Sequence, residues 1–476
     1  MRRTKKIHQW FGVVAVIIGL LFMADAAWAD WQQQQKLSAS DANEWDYFGT
    51  SVAIDGNYAI VGACYADVGG PIDNRGAAYI FKWTGSNWSQ QDKLLASDGA
   101  SGDNFGWSVS ISGEYAIISA PGDNSSIGSA YIFKRNGTSW SQQAKLTASD
   151  GATGDEFSYS VSISGDYAIV GAYDDTDLGI NNCGSAYIFE KPPGGWVDAT
   201  ETIKLFAFEP GPTSSERFGF SVAIDGNTAI VGANFSSPTP QLIQSGAAYI
   251  FKREGIYWVP QPPKLTASDA KGGDEFGSSV AIDANYAVVG APWDDIDAFR
   301  GQTGCAYIFK CIGGPMWTEQ DILYASDLSM DDYFGWSVSI SGNLAIVGTF
   351  ADSAYIFRRR GTSWTELEKL TAWDGAPGCG FGWSVSMGAS QTIVGATTAT
   401  GNATQSGAAY TFERVCPTAD LTGDCCVDYY DLEQFTRFWL YAGCFIIDCG
   451  GADLDNSGEV NFADYAKLVS NWLKYN

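Results

Sequence analysis

Apolar and polar residues alternate along most of this chain in short runs, and the runs come in recurring groups of four. In one group, residues 105–111 (FGWSVSI) predict a first strand and residues 115–120 (YAIISA) a second. Residues 129–133 (SAYIF) predict a third and residues 140–146 (WSQQAKL) a fourth. Turn-forming residues separate them: Ser112-Gly113-Glu114, a looser stretch ending at Gly128, and Arg135-Asn136-Gly137-Thr138. Asp55-Gly56-Asn57, Asp225-Gly226-Asn227 and Asn136-Gly137 supply the positive φ that tight hairpins need. Helical periodicity is absent from this part of the chain.

Each group opens on Phe-Gly, once on Phe-Ser. The starts are Phe48, Phe105, Phe157, Phe218, Phe276, Phe334 and Phe381, at intervals of 57, 52, 61, 58, 58 and 47 residues. A four-strand unit of this length predicts a propeller blade, and seven copies predict a mainly β, seven-bladed β-propeller of antiparallel meanders. The seventh group runs through Ala409-Tyr410-Thr411-Phe412 and stops without its Trp-containing run. Residues 31–37 (WQQQQKL) have the same Trp-to-Lys-Leu spacing as residues 88–94 and 364–370. The N-terminal run is therefore expected to complete the seventh blade and hide its open strand edge.

The Phe-Gly…Val-Gly-Ala pattern, as in Phe276-Gly277…Val289-Gly290-Ala291-Pro292, resembles the FG-GAP repeat of integrin α-chain propellers. The runs ASDGASGDNFG (from Ala96) and ASDGATGDEFS (from Ala148) are closer to its bacterial branch. The resemblance spans roughly residues 31–415, and its specificity comes from sevenfold recurrence. Integrin-type repeats carry an Asp-rich calcium loop between the first two strands. Here that connection is only a turn such as Ile54-Asp55-Gly56-Asn57, too short for a cage of six to eight oxygens.

Residues 1–29 read as a secretory signal peptide: Arg2, Arg3, Lys5 and Lys6, then an apolar stretch from residue 11 to 23, then Ala27-Trp28-Ala29 before Asp30. The apolar stretch is too short to span a bilayer about 30 Å thick, so removal and export are expected, with no membrane insertion. The segment holds four of the 28 basic and one of the 54 acidic residues, which leaves a mature charge of −29. Such a surface repels nucleic acid and anionic lipid and suits divalent cations. The single histidine, His8, falls within the leader. A mature chain without imidazole has no Ser-His-Asp or Cys-His pair and no histidine metal ligand. Ten cysteines remain, five in the repeats (Cys64, Cys183, Cys305, Cys311, Cys379) and five after them (Cys416, Cys425, Cys426, Cys444, Cys449). Because both sets are odd, either each region keeps a free thiol or a bridge joins them.

In a meander blade the fourth-to-first and second-to-third connections share one face of the ring. That face gathers Asp98 and Asp103, Asp150 and Asp155, and Asp269 and Asp274; the third-to-fourth turns with Lys134, Arg135, Lys252, Arg253, Arg358, Arg359 and Arg360 go to the other. Recurrent aspartates in Asp-Gly contexts are expected to cap turns. The non-repeated loop clusters Tyr173, Asp174, Asp175 and Asp177, and Trp293, Asp294, Asp295 and Asp297, are the candidate ligand-binding residues. An aromatic platform beside carboxylates could stack on a sugar, or the acids could hold calcium; the bland alternative is solvated loop acid. Trp107, Trp336 and Trp383 are expected to pack between blades.

After Val415 the alternation ends, and two segments match each other: residues 420–440 (DLTGDCCVDYYDLEQFTRFWL) and 453–473 (DLDNSGEVNFADYAKLVSNWL). Oxygen-bearing groups fall at loop positions 1, 3, 5, 7, 9 and 12, and an amphipathic helix follows each loop. The first loop offers Asp420, Thr422, Asp424, the carbonyl of Cys426, Asp428 and Asp431. The second offers Asp453, Asp455, Ser457, the carbonyl of Glu459, Asn461 and Asp464, with Gly458 at the sharp turn. Two loop-helix units without a leading helix resemble a type I dockerin module, an EF-hand-like arrangement. The resemblance implies two calcium ions as cofactors and docking onto a cohesin-like or other cell-surface protein. Cys425 at position 6, and Tyr430 and Ala463 at position 11, depart from the usual pattern.

The chain thus divides into a leader (1–29), a propeller (30–415) and a dockerin-like domain (416–476). The favoured reading is a secreted or cell-surface binding protein that shows an acidic loop face to a protein or carbohydrate ligand. The alternative is a carboxylate-based polysaccharide hydrolase or lyase, which needs two unique acids facing each other across the central mouth. Glu216, in the irregular fourth repeat, is one unique acid without an evident mate. A purely structural envelope component is the third possibility.

Overall fold

The computed structural model describes residues 27–28, 30–68, 73–176, 182–209, 215–295, 301–416, 421, 426–427, 429–437, 452–454, 460 and 462–473. They form two units, Gln33–Phe412 and Met1–Gln32 with Glu413–Asn476.

The first unit is a seven-bladed β-propeller. Blade 1 is the meander Phe48–Asp55, Tyr58–Ala63, Ala77–Trp83, Trp88–Leu94, hydrogen-bonded in that order. The connection between its first two strands is only Gly56-Asn57, as the turn residues imply. Blades 2 to 6 repeat the order, and blade 2 gains a short parallel outer strand, Ala199–Thr200. In blade 7 the strands Phe381–Met387, Gln391–Ala396 and Ala408–Val415 are joined by Asp30–Leu37 as the outermost strand. The predicted closure is present. Trp31 and Leu37 are buried there like their counterparts Trp364 and Leu370, and the Gln35 amide exchanges two hydrogen bonds with the Trp88 backbone of blade 1 (2.9 and 2.8 Å).

The core lies between blades. Each Phe of the motif packs against the Tyr and Phe of its own third strand, as Phe276 does with Tyr307 (5.3 Å) and Phe309 (5.9 Å). Glycine follows because the next blade's backbone comes too close for a side chain. A Cβ on Gly232 would stand 2.1 Å from the carbonyl oxygen of Gly277, and Gly277 itself has φ +94°. The same contact recurs from Gly395 to Gly49 across the seam. One junction differs: Ser119 of blade 2 and Ser158 of blade 3 stand where the others have glycine, both fully buried. The Ser119 hydroxyl accepts from the Ser108 N–H (2.7 Å), and the Ser158 hydroxyl donates to the Ser129 carbonyl (2.7 Å). On the basic face, Arg135, Arg253 and Arg359 each lie over a tyrosine of the preceding blade, 4.4 to 4.9 Å from the centroids of Tyr58, Tyr167 and Tyr286.

The template first strand is shorter than predicted. Regular pairing begins at Val109 rather than Phe105, because Asn104 and Gly106 both have positive φ and Phe105 bridges back to Gly76. All five cysteines of the repeats are free thiols, whereas Cys416 is disulfide-bonded. No bridge from the repeats to the tail is therefore formed.

In the second unit, Ala27–Trp28 pairs antiparallel with Cys426–Val427. Helices Tyr429–Arg437 and Phe462–Leu473 follow the two predicted loops, and Phe435 meets Tyr465 at 6.1 Å. Phe435, Val460 and Leu468 are buried. Among the described residues, no helix is long and apolar enough to cross a membrane.

Candidate functional site

The aspartates of the loop face are bound into the blades. In blade 2, Asp98 accepts from the Tyr131 hydroxyl (3.0 Å) and from Lys145 (2.6 Å), and the same ammonium lies 2.7 Å from Asp123. Blade 3 repeats this with Asp150, Asp175, Tyr187 and Lys204. The trios Asp41, Tyr79, Lys93 and Asp327, Tyr355, Lys369 serve blades 1 and 6. In blade 7, Asp374 and Tyr410 receive Lys36 from the N-terminal strand, so closure also completes the ion network. The Lys369 ammonium and the Tyr355 hydroxyl hold the Asp327 carboxyl below its ordinary value. The second aspartate of each loop caps a turn: Asp103 accepts from the Ala100 N–H and Asp155 from the Ala152 N–H, both at 2.6 Å.

Blade 5 departs from the scheme. Ile322 stands where the other blades carry the lysine, and Tyr307 lies 2.8 Å from Asp269 and 2.9 Å from Asp294 with no fourth-strand ammonium between them. Lys271 approaches Asp294 from the loop instead, at 3.4 Å. Asp274 is 3% exposed. Burial pushes its carboxyl up to about 7 despite the hydrogen bond from the Lys271 N–H, with Asp294 and Asp269 adding repulsion.

The sequence-predicted loop residues divide between two roles. Asp175 and Asp294 are buried inside these networks. Asp174 accepts from the Asn182 amide (2.6 Å), and Asp295 from the Gln302 N–H (2.5 Å). Asp177 and Asp297 lie outside the described residues. Glu216 is buried and accepts from the Tyr249 hydroxyl at 2.8 Å, away from the mouth. Tyr173 and Trp293 are half-buried and belong to a larger aromatic surface. Tyr173 meets Tyr159 (4.5 Å), and Trp293 meets Tyr333 (4.8 Å).

Part of that surface, Tyr159 and Trp293 included, lines a cavity of about 730 Å³ reached by the first strands of all seven blades. The residue two places after each Phe contributes to its wall: Thr50, Trp107, Tyr159, Phe220, Ser278, Trp336 and Trp383. The tryptophans pack between blades as expected, and they also line the cavity. Trp336 and Trp383 touch across neighbouring blades (5.2 Å), as do Trp107 and Tyr159 (5.5 Å), on the cavity wall and half-exposed. Strict alternation would send this position to the side taken by the Phe. An irregularity in pairing after the motif, as between Phe218 and Ser221 or Phe381 and Ser384, turns it toward the axis instead.

The residue just before each Phe has positive φ in every blade and is of five kinds around the ring: Tyr47, Asn104, Glu156, Arg217, Glu275, Tyr333 and Gly380. Sequence reasoning passed over these positions. The signal was there, in two columns that vary while their surroundings repeat. Among the described residues lining the cavity, the charged ones are Arg217 and Glu275. Burial raises the Glu275 carboxyl above its ordinary value, against the pull of the Asn234 amide and the Arg217 charge. For the tail, Asp431 and Asp464, both fully buried, sit in the first turns of their helices; Asp431 accepts from the Leu421 N–H at 2.7 Å. Asp453 is half-buried. Asp420, Thr422, Asp424, Asp428, Asp455, Ser457, Glu459, Asn461 and the Cys426 side chain lie outside the described residues.

The FG-GAP repeat matches the chain seven times, at residues 31–81, 88–133, 140–189, 200–251, 260–309, 317–361 and 364–412. The first match runs from the outer strand of blade 7 to the third strand of blade 1, so the sequence unit is offset from the blade by one strand. No curated protein matches the chain. With most of its length covered by these seven matches, the chain belongs to the FG-GAP repeat family.

Proposed function

We propose that this is a secreted, non-enzymatic binding protein. Its propeller receives a ligand at the central mouth, and its C-terminal unit, folded with calcium, attaches it to a cohesin-like or other cell-surface partner. One observation carries the reading of the mouth. A nearly symmetrical ring brings one set of seven equivalent positions to one cavity, joined there by Tyr47, Arg217 and Glu275 of a second set, and the side chains vary around the ring. Such asymmetry on a rigid scaffold is what selective recognition needs. The lining acid Glu275 is tied to Asn234 (3.0 Å) and is not opposed there by a second described carboxylate, which favours binding over glycosidic cleavage.

For the tail, the fit of calcium rests on Asp431 and Asp464. Two fully buried carboxylates stand at equivalent places in two matched loop-helix units, and a divalent cation takes oxygen ligands of this kind. Asp453 and the other loop oxygens at the predicted positions would complete the shells. The test uses the full chain as bait against an envelope and secreted fraction, with calcium or with a chelator. Capture of a discrete protein in calcium, lost in the chelator and in Asp431→Ala/Asp464→Ala, supports the reading. Capture indifferent to calcium, or none in either condition, overturns the docking role.

A further inference from the structure

Two side chains at the mouth have unused bonding capacity. Arg217 lies over Phe235, 3.8 Å from the ring centre, and 5.4 Å from that of Tyr173. Among the described residues its guanidinium makes no side-chain hydrogen bond and no ion pair, with Glu275 or any other acid. Asn234 is 1% exposed; its Nδ2 donates to Glu275, while its Oδ1 has no partner. A stacked guanidinium keeps its N–H edges available in the ring plane, where they match a carboxylate in bidentate fashion. Two and three blades further round the same cavity, the half-buried indoles of Trp336 and Trp383 form part of its lining. These rings have apolar faces that suit the C–H face of a pyranose.

A carboxylate, hydroxyl donors and an apolar ring face occur together on one small unit, a uronic acid. We propose that the mouth binds an oligosaccharide containing uronic acid, with a carboxylate on Arg217 and the pyranose faces of its units against the aromatic wall. The assignment rests on the reading of the propeller as a binding module. The cavity, at about 730 Å³, falls within the roughly 300–1,000 Å³ of small-ligand sites. The net charge of −26 opposes an anion at long range. Screening over about 8 Å at physiological salt leaves the contact to be decided locally, by Arg217.

The test is calorimetric titration of the full chain with trigalacturonate and, separately, galactotriose. Trigalacturonate is expected to bind about tenfold or more tightly than the neutral sugar, a charge-assisted margin. Arg217→Gln should remove most of that preference, and Trp336→Ala should weaken both sugars, with thermal unfolding confirming that each variant is folded. Equal affinity for the two sugars, or a preference that survives Arg217→Gln, overturns the carboxylate assignment. Failure of both sugars to bind the wild-type chain overturns the proposal outright. Binding of galactotriose without a preference for trigalacturonate would keep the mouth as a binding site and sink only the carboxylate assignment, whereas the calcium-dependent capture reports on the tail alone.

Discussion

Asp274 provides a signed test of the electrostatics of the loop face. Its carboxyl is displaced from 3.8 to about 7 by burial in the blade that has Ile322 in place of the bridging lysine. A folded value above the unfolded one means that the native state holds a proton the unfolded chain has already released. Stability should therefore fall as pH rises from about 4 to about 7, and the full cost is present above that window. At about 1.4 kcal/mol per pH unit the displacement corresponds to about 4 kcal/mol. Part of this is repulsion shared with Asp294 and Asp269, so about 2 kcal/mol is the working figure. Asp274→Asn keeps an oxygen for the Lys271 N–H and removes the charge. Urea denaturation followed by tryptophan fluorescence should show the variant more stable than wild type by about that amount at pH 8, and equal to it at pH 4. Asp103→Asn, in the blade that keeps Lys145, should gain less. A gain that does not change with pH, or one matched by Asp103→Asn, would refute the reasoning.

Three further outcomes are expected. Ile322→Lys should restore the missing ammonium between Asp269 and Asp294, raising stability at pH 8 by about 1–3 kcal/mol as measured by the urea midpoint; no gain would mean that Lys271 already compensates. Leu37→Ala and Leu370→Ala remove equally buried side chains from the outermost strands of blades 7 and 6, and each should cost about 2–5 kcal/mol. A cost below about 1 kcal/mol at Leu37 alone would show that the N-terminal strand is not integral to the ring. Gly290→Ala places a Cβ 2.1 Å from the Gly335 carbonyl oxygen and should cost at least about 1–3 kcal/mol. Gly137→Ala is the contrast: its Cβ meets nothing within 4 Å, so only the strain of φ +66° should register.

The strand pattern and the closure could be read directly because both rest on local periodicity. The Trp-to-Lys-Leu spacing of residues 31–37 is visible wherever it stands in the chain, and the fold uses all three residues: Trp31 and Leu37 in the core, Lys36 on Asp374. The mouth was hidden because it depends on a departure from alternation. Period two sends Trp383 between blades, and the pairing irregularity after the motif turns it to the cavity. Arg217 and Glu275 were missed for a related reason: they occupy left-handed positions, which alternation does not describe. The burial of Asp175 and Asp294 could not be foreseen from their own loops. It is decided by Tyr187 and Tyr307, which arrive on strands ten or more residues away.

The serine pair at the second junction bears on how such a ring could be rearranged. Elsewhere a blade presents a glycine to a glycine, and any of those blades could follow any other without a backbone clash at that point. Ser119 and Ser158 replace the glycine pair at one junction with hydroxyls bonded to backbone: Ser158 bridges to Ser129 and Ala120 of blade 2, and Ser119 holds the Ser108 N–H of its own blade. Blades 2 and 3 therefore behave as one inheritable module. A shuffled or permuted ring that separates them would set a serine against a glycine-shaped neighbour at two new junctions, whereas one that moves them together would keep its seams intact.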